Sequence, residues 1–256
     1  IEADICGAGA SGRNGGCALS WSAKYFTLER LFGTAEAVRL VRESERSIAA
    51  IGAFCAANGI DCDYRLDGTL YTATNQAQVG ATDAVIAALA QQGINSFERL
   101  PLEAVQRLAG SARHLEGWFS PAAATVQPGR LVRGLRRVAL QRGVRIHEGT
   151  AMASLEHGAP VQVRTAHGTV RADRVVLGLN AWMARAFPQF ERSVAIVSSD
   201  MVITEPCPEL LSQIGLDSGI SVLDSRIFVH YYHNTSDGRL MLGKGGNTFA
   251  YGGRML

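Results

Sequence analysis

Lysine is almost missing from this chain: Lys24 and Lys244 are the only two, so arginine carries nearly all the positive charge. The basic residues are scattered, not clustered, and the formal net charge is only +2. That distribution lacks the concentrated basic stripe of a nucleic-acid binder, and nucleic acid is set aside as a partner. Cysteine is sparse and odd in number, at Cys6, Cys17, Cys55, Cys62 and Cys207, with no C-x-x-C spacing. Neither a disulfide framework nor a zinc site is implied; free thiols in a reducing compartment fit the pattern. No apolar run approaches the roughly 20 residues needed to cross a bilayer. The first residues also lack a basic stretch followed by an apolar one, so the expectation is a cytoplasmic protein with no membrane span. Repeats and low-complexity linkers are absent as well. Any two domains in the 256 residues must therefore interleave.

What is present is 47% hydrophobic residues arranged in alternating helical and strand patterns. Thr34 is placed to cap a helix with Val38, Val41, Ile48, Ile51 and Cys55 on one face, stopped at Asn58-Gly59. A second helical run from about Asn75 carries Val79, Ile86 and Leu89 to Gly93, and a third follows Pro101. Tyr64 to Thr74 reads as a strand or hairpin around Asp67-Gly68. Pro128 opens a helix with Leu131, Leu135 and Val138 inward, closed by Gly143 before a strand Val144-Arg145-Ile146. Three strand-like pieces near 151–155, 161–165 and 169–171, separated by His157-Gly158 and His167-Gly168, predict an antiparallel meander. Arg174-Val175-Val176-Leu177-Gly178-Leu179 reads as a buried strand of a parallel sheet, with a helix starting at Asn180-Ala181-Trp182. Strand patterns at Ser193–Thr204 and Arg226–Gly243 predict a second sheet. The fold class is α/β: an incomplete Rossmann-like domain interleaved with a mixed-sheet α+β domain.

The glycine-rich start has two readings. Gly7, Gly9 and Gly12 match G-x-G-x-x-G, the fingerprint of an NAD(P)-dependent dehydrogenase, which requires a helix to follow at once. Yet Gly15 and Gly16 come next, and each glycine inside a helix costs about 1 kcal/mol relative to alanine. The alternative frame puts Ile1-Glu2-Ala3 at the end of the second strand of a Rossmann unit, with Glu2 as the acid that accepts from an adenosine ribose. Cys6–Gly16 is then a loop whose glycines let main-chain N–H groups approach a cofactor. A helix over Arg13–Leu19 favours the first reading, an irregular loop the second.

Gly-Ala-Ser-Gly-Arg-Asn-Gly-Gly at 9–16 resembles the flavin-contacting loop of FAD-dependent oxidoreductases of the D-amino-acid-oxidase type, especially the gamma-glutamylputrescine-oxidase-like branch. Ala124-Thr125-Val126-Gln127-Pro128-Gly129, Ala172-Asp173-Arg174-Val175-Val176-Leu177 with Asn180-Ala181, and Tyr231-Tyr232 followed by Asp237-Gly238-Arg239 resemble the same family in the same order. The resemblance covers essentially the whole chain. It leaves the family's first strand, Gly-rich turn and helix before Ile1, and its final glycine-rich segment after Leu256.

The resemblance implies FAD as cofactor and oxidation of a C–N bond in a small amine or amino acid. It also implies a divided domain plan, with 1–62 and 125–190 holding FAD and 63–124 and 191–256 holding substrate. The implied cofactor residues are Glu2, Ser11, Gly12, Arg13, Asn14, Gly15, Gly16, Met152, Gly178 and Asn180. Of these, Ser11, Gly12, Gly15 and Gly16 would offer main-chain donors, Met152 its backbone beside the adenine. The implied catalytic residues are Arg13, Tyr231 and Tyr232; strand alternation turns one tyrosine away, and Tyr232 is the expected substrate contact. Relatives often carry arginine where His233 stands, and His233 reads as a surface histidine. Arg239 reads as a turn residue. Met241 falls where sarcosine-oxidase relatives have an oxygen-activating lysine, so another electron acceptor is in play, with Lys244 nearby. A chain without the first phosphate-binding turn is expected to hold FAD poorly, and a catalytically silent remnant is the competing reading.

Overall fold

The computed structural model describes residues 1–226 and 228–250, the side chain of Asn247 excepted. The strands are β1 Cys17–Leu19, β2 Thr69–Ala73, β3 Glu98–Arg99, β4 Glu116–Ser120, β5 Ala123–Thr125, β6 Met152–Glu156, β7 Val161–Thr165, β8 Gly168–Ala172, β9 Ile196–Ile203, β10 Ser221–Asp224, β11 His230–Asn234 and β12 Leu240–Ala250. The chain divides into two compact units. One comprises Ile1–Arg13, Val132–Ser199 and the chain from Gly246; the other comprises Asn14–Leu131 and Asp200–Gly245.

The larger unit is organised by a seven-stranded sheet in the order β3-β4-β2-β10-β11-β12-β9. β2 and β10 are parallel, with Leu70 beside Val222, while β4 on β2 and β11 on β10 are antiparallel. Central strands are covered on both faces, which is why all of β10 is buried and why it shows no alternation by which to recognise it. Leu70, Val105, Ala109, Ile220 and Val222 form the core against the helix Leu102–Leu108. The helix Thr34–Ala57 buries Ala37, Val41, Ile48 and Cys55, the expected face, and Gly59 at φ +58 closes it. Its cap position is Gly33; Thr34 is the first helical residue, and its hydroxyl bonds Glu29 instead. Tyr25, Leu28 and Val41 pack with Val85, Leu89 and Ile94. Residues 14–62 fall in the same compact unit as most of the sheet.

Other expectations are corrected. The run from Asn75 is a single 3-10 turn, Gln76–Gln78, followed by the helix Asp83–Gln91, which leaves Val79 outside it and 40% exposed. Of the strand or hairpin expected over Tyr64–Thr74, the strand is present at Thr69–Ala73, and it pairs with the distant β4 and β10. In the helix Pro128–Gln141 only Val138 is buried, and Leu135 is exposed. The three-stranded meander β6-β7-β8 is present as expected. Neither 144–146 nor 174–179 forms a ladder, and Val176 is 93% exposed where burial was expected. An apolar run becomes a buried strand only if neighbouring backbones pair with it. Asn180–Trp182 begins a helical segment, as predicted.

The glycine-rich start resolves the two readings. One helical turn, Ala10–Arg13, ends before Asn14, and Cys17–Leu19 is a strand paired with Ala123–Thr125. A dinucleotide fingerprint needs a helix there, so the NAD(P) reading fails. Gly12 packs on the Gly7 carbonyl so closely that a Cβ would overlap it, which makes these glycines a self-packed turn. Among the described residues no helix is long and apolar enough to cross a membrane, and no three His, Cys, Asp or Glu side chains gather as a metal site.

The first unit is braced by Glu148. It accepts from the Cys6 N–H at 2.8 Å and from Arg136 at 2.6 Å, with Arg133 at 3.1 Å. The Arg136 bond and then the Cys6 N–H hold its carboxyl at about 2. A carboxylate depressed in the folded state stabilises above its unfolded value, about 4.3, and that contribution fades as pH falls through the folded value. Glu148→Gln is therefore expected to lower the melting temperature at pH 6 and to flatten its decline between pH 4 and pH 2. Equal slopes in wild type and variant, followed by circular dichroism, would remove Glu148 from that role.

Candidate functional site

β11 presents two faces, and the tyrosine pair is split between them. Tyr232 points into the sheet core. Its hydroxyl donates to the Ala109 carbonyl at 2.6 Å and lies 3.0 Å from His114 Nε2. Because the phenol's one proton goes to Ala109, His114 must donate through Nε2. Burial pushes the Tyr232 phenol well above its usual range and the His114 imidazole below its own. Tyr232, the expected substrate contact, is thus fully committed to the protein.

Tyr231 occupies the opposite face. Its ring fills a slot between Gly15, in the loop before β1, and Gly243, its register partner on β12. A Cβ at either glycine would overlap that ring. The ring is half-buried, and among the described residues its hydroxyl has no hydrogen-bond partner. An oriented, open phenol of this kind can bind a carboxylate or amine.

His233, two residues on and hence on the face of Tyr231, also reaches the loop. It is 5% exposed, not at the surface; Nε2 lies 2.9 Å from the Gly15 carbonyl and Nδ1 2.7 Å from that of Asn234. Its i, i+2 spacing from Tyr231 was the sequence signal that should have flagged it. Gly243 was missed as well, since only the strand register reveals it.

Of the expected donors in this unit, the Gly16 N–H is spent on Asn14 Oδ1 at 2.9 Å, which also engages the Asn14 side chain. The Gly15 N–H has no acceptor among the described residues. Met241 is buried on β12 opposite His233, and Lys244 pairs in register with His230. Arg239 bonds Asp237 at 2.8 Å, the turn role expected of it.

In the other unit, Glu2 accepts the Asp4 N–H at 3.0 Å through one carboxylate oxygen, and its backbone bonds His147 and Thr150. The Gly12 N–H is spent on the Gly9 carbonyl at 3.2 Å. Arg13 is exposed at the end of the single turn that also holds Ser11. Met152 opens β6 opposite Thr165, next to a register shift. Gly178 has open space where a side chain would stand, and Asn180 adopts φ +47, a conformation few non-glycine residues take.

This architecture is that of the FAD-dependent amino-acid oxidase fold. The chain superposes on glycine oxidase from Geobacillus kaustophilus with a TM-score of 0.71 at 20% identity, covering 98% of this chain and 64% of that one. L-amino acid deaminase from Proteus vulgaris gives 0.68 at 18% identity, covering 95% and 54%. Residues 1–254 match the family model described as FAD dependent oxidoreductase, and the chain belongs to that family. Gamma-glutamylputrescine oxidoreductase of Escherichia coli (strain K12) is 28% identical over 99% of this chain and 59% of its own length. A probable oxidoreductase, OrdL, of Rhizobium meliloti (strain 1021) is 28% identical over 95% and 57%. The chain thus spans under two thirds of the curated relatives it matches.

The residues present fit parts of FAD. Glu2 has a carboxylate of the kind that would accept from a ribose hydroxyl, and nothing lies within 4 Å of where a Gly178 side chain would stand. The Gly15 N–H, with no acceptor among the described residues, would be open to a cofactor atom.

Proposed function

We propose that this chain forms part of an FAD-dependent oxidoreductase that oxidises a C–N bond of a small amine or amino acid. The observation that carries the reading is Tyr231: an unpartnered phenol locked by two glycines against the loop whose Asn14-Gly15-Gly16 matches the family's flavin contact. The relatives are named for gamma-glutamylputrescine, glycine and L-amino acids, each of which has such a bond. The five free thiols support a reducing, cytoplasmic setting.

FAD, when bound, accepts the hydride from the carbon beside nitrogen. The chain's own task is to position. Glu2 accepts from the ribose, Gly15 donates its N–H to the cofactor, and Gly178 and Asn180 let the backbone come close. By the resemblance, Met152 would contact the adenine through its main chain, and Ser11, Arg13 and Asn14 would add contacts from the loop. Tyr231 hydrogen-bonds the substrate's polar group and fixes which carbon faces the flavin. The N–H groups of Gly12 and Gly16 are spent within the chain, so of the two neighbours Gly15 and Gly16 it is Gly15 that would donate.

Anaerobic titration of the complete, FAD-loaded protein with panels of amines and amino acids is expected to bleach the flavin band with at least one member. A flavin left oxidised by every member of both panels would sink the proposal.

A further inference from the structure

We infer that His233 is a positioning residue that locks the Gly15–Gly16 peptide in one orientation, a role that rests on that loop serving FAD. The Gly15 carbonyl faces His233 Nε2 at 2.9 Å. In a trans peptide the carbonyl and the following N–H point oppositely, so the Gly16 N–H is directed away from His233, where Asn14 Oδ1 takes it at 2.9 Å. The peptide is therefore gripped at both ends. A flip of the plane would forfeit both bonds at once, and two consecutive glycines offer little steric resistance of their own to such a flip.

Both ring nitrogens face carbonyl oxygens, which can only accept. His233 has two carbonyls within reach, and they are not equivalent. The Asn234 carbonyl is already served by the Arg65 guanidinium, which also bonds Asn234 Oδ1 at 3.1 Å. Among the described residues the Gly15 carbonyl has, besides His233, only the Cys17 thiol, a weak donor 3.7 Å away. The bond to Gly15 therefore requires a proton on Nε2. Tyr231, on the same face of β11, presses its ring on the Gly15 Cα from the side. Residues 231 and 233 together hold the glycine's ring-facing side and its carbonyl, leaving the Gly15 N–H as the loop's open donor.

Two variants separate this role from general packing. Glutamine places its amide nitrogen close to where Nε2 stands, whereas asparagine is one carbon shorter and falls short of Gly15. In His233→Asn, amide exchange over residues 14–17 is expected to quicken at least 10-fold while that of β10 is unchanged, and His233→Gln is expected to restore protection. In the wild type, nitrogen-15 NMR of the imidazole is expected to show a proton on Nε2. An unprotonated Nε2 overturns the inference, as does equal loop exchange in wild type and His233→Asn, or indistinguishable Asn and Gln variants. Should His233→Asn not fold, the NMR measurement on the wild type still decides. None of these readouts needs FAD. Failure of the substrate titration with these signatures present would count against the oxidoreductase reading alone.

Discussion

Replacing Gly16 by alanine is expected to destabilise the protein by roughly 2–5 kcal/mol. Two independent penalties combine. Gly16 has φ +69, in the left-handed region, where a side chain costs about 1–2 kcal/mol. Its Cβ would also overlap the Val126 carbonyl oxygen, a backbone atom that no rotamer change can move aside. Relieving that overlap shifts either the loop or the β1–β5 pairing, and overpacking of this kind costs about 1–3 kcal/mol. Gly143→Ala is the control: φ is +85 there too, but a Cβ would meet nothing within 4 Å. Differential scanning calorimetry should show a fall on the order of 10 °C for Gly16→Ala and a clearly smaller one for Gly143→Ala. Equal falls would mean that the contact with Val126 contributes nothing.

The second large effect concerns the tyrosine pair in the complete, FAD-loaded protein. Tyr231→Phe removes a hydroxyl with no partner among the described residues, so folding stability should be unchanged. Losing a hydrogen bond to a charged substrate group costs about 1.5–3 kcal/mol, which lowers kcat/KM about 10- to 100-fold. Tyr232→Phe should do the reverse. It strands the Ala109 carbonyl and His114 Nε2, at a cost of about 1–3 kcal/mol in stability, with kcat/KM preserved. Steady-state kinetics and thermal melts on the two variants form one experiment. An undiminished kcat/KM in Tyr231→Phe would take the substrate contact away from that residue.

The tyrosine pair also shows where sequence reading ends. Alternation along a strand requires the two rings to face opposite ways, and that much is local. Which ring faces the loop depends on the register of β11 with β12, which sets Tyr231 opposite Gly243, and on Gly15 arriving from more than 200 residues away. His233 was misplaced for the same reason, since a histidine's burial is decided by what packs over it.

The sequence by itself determined the long helix 34–57, the meander 152–172 and the rejection of a continuous helix after Gly12. Each of these rests on interactions a few residues apart: helical periodicity, His-Gly turns and the helix cost of glycine. It also determined the family, through motifs whose order runs along the whole chain. Tertiary structure alone decided that β10 is a strand, that 174–179 is not paired, and which face of β11 meets the glycine loop. Those outcomes depend on backbone partners and covering side chains from distant segments, and no local pattern encodes the identity of a distant partner.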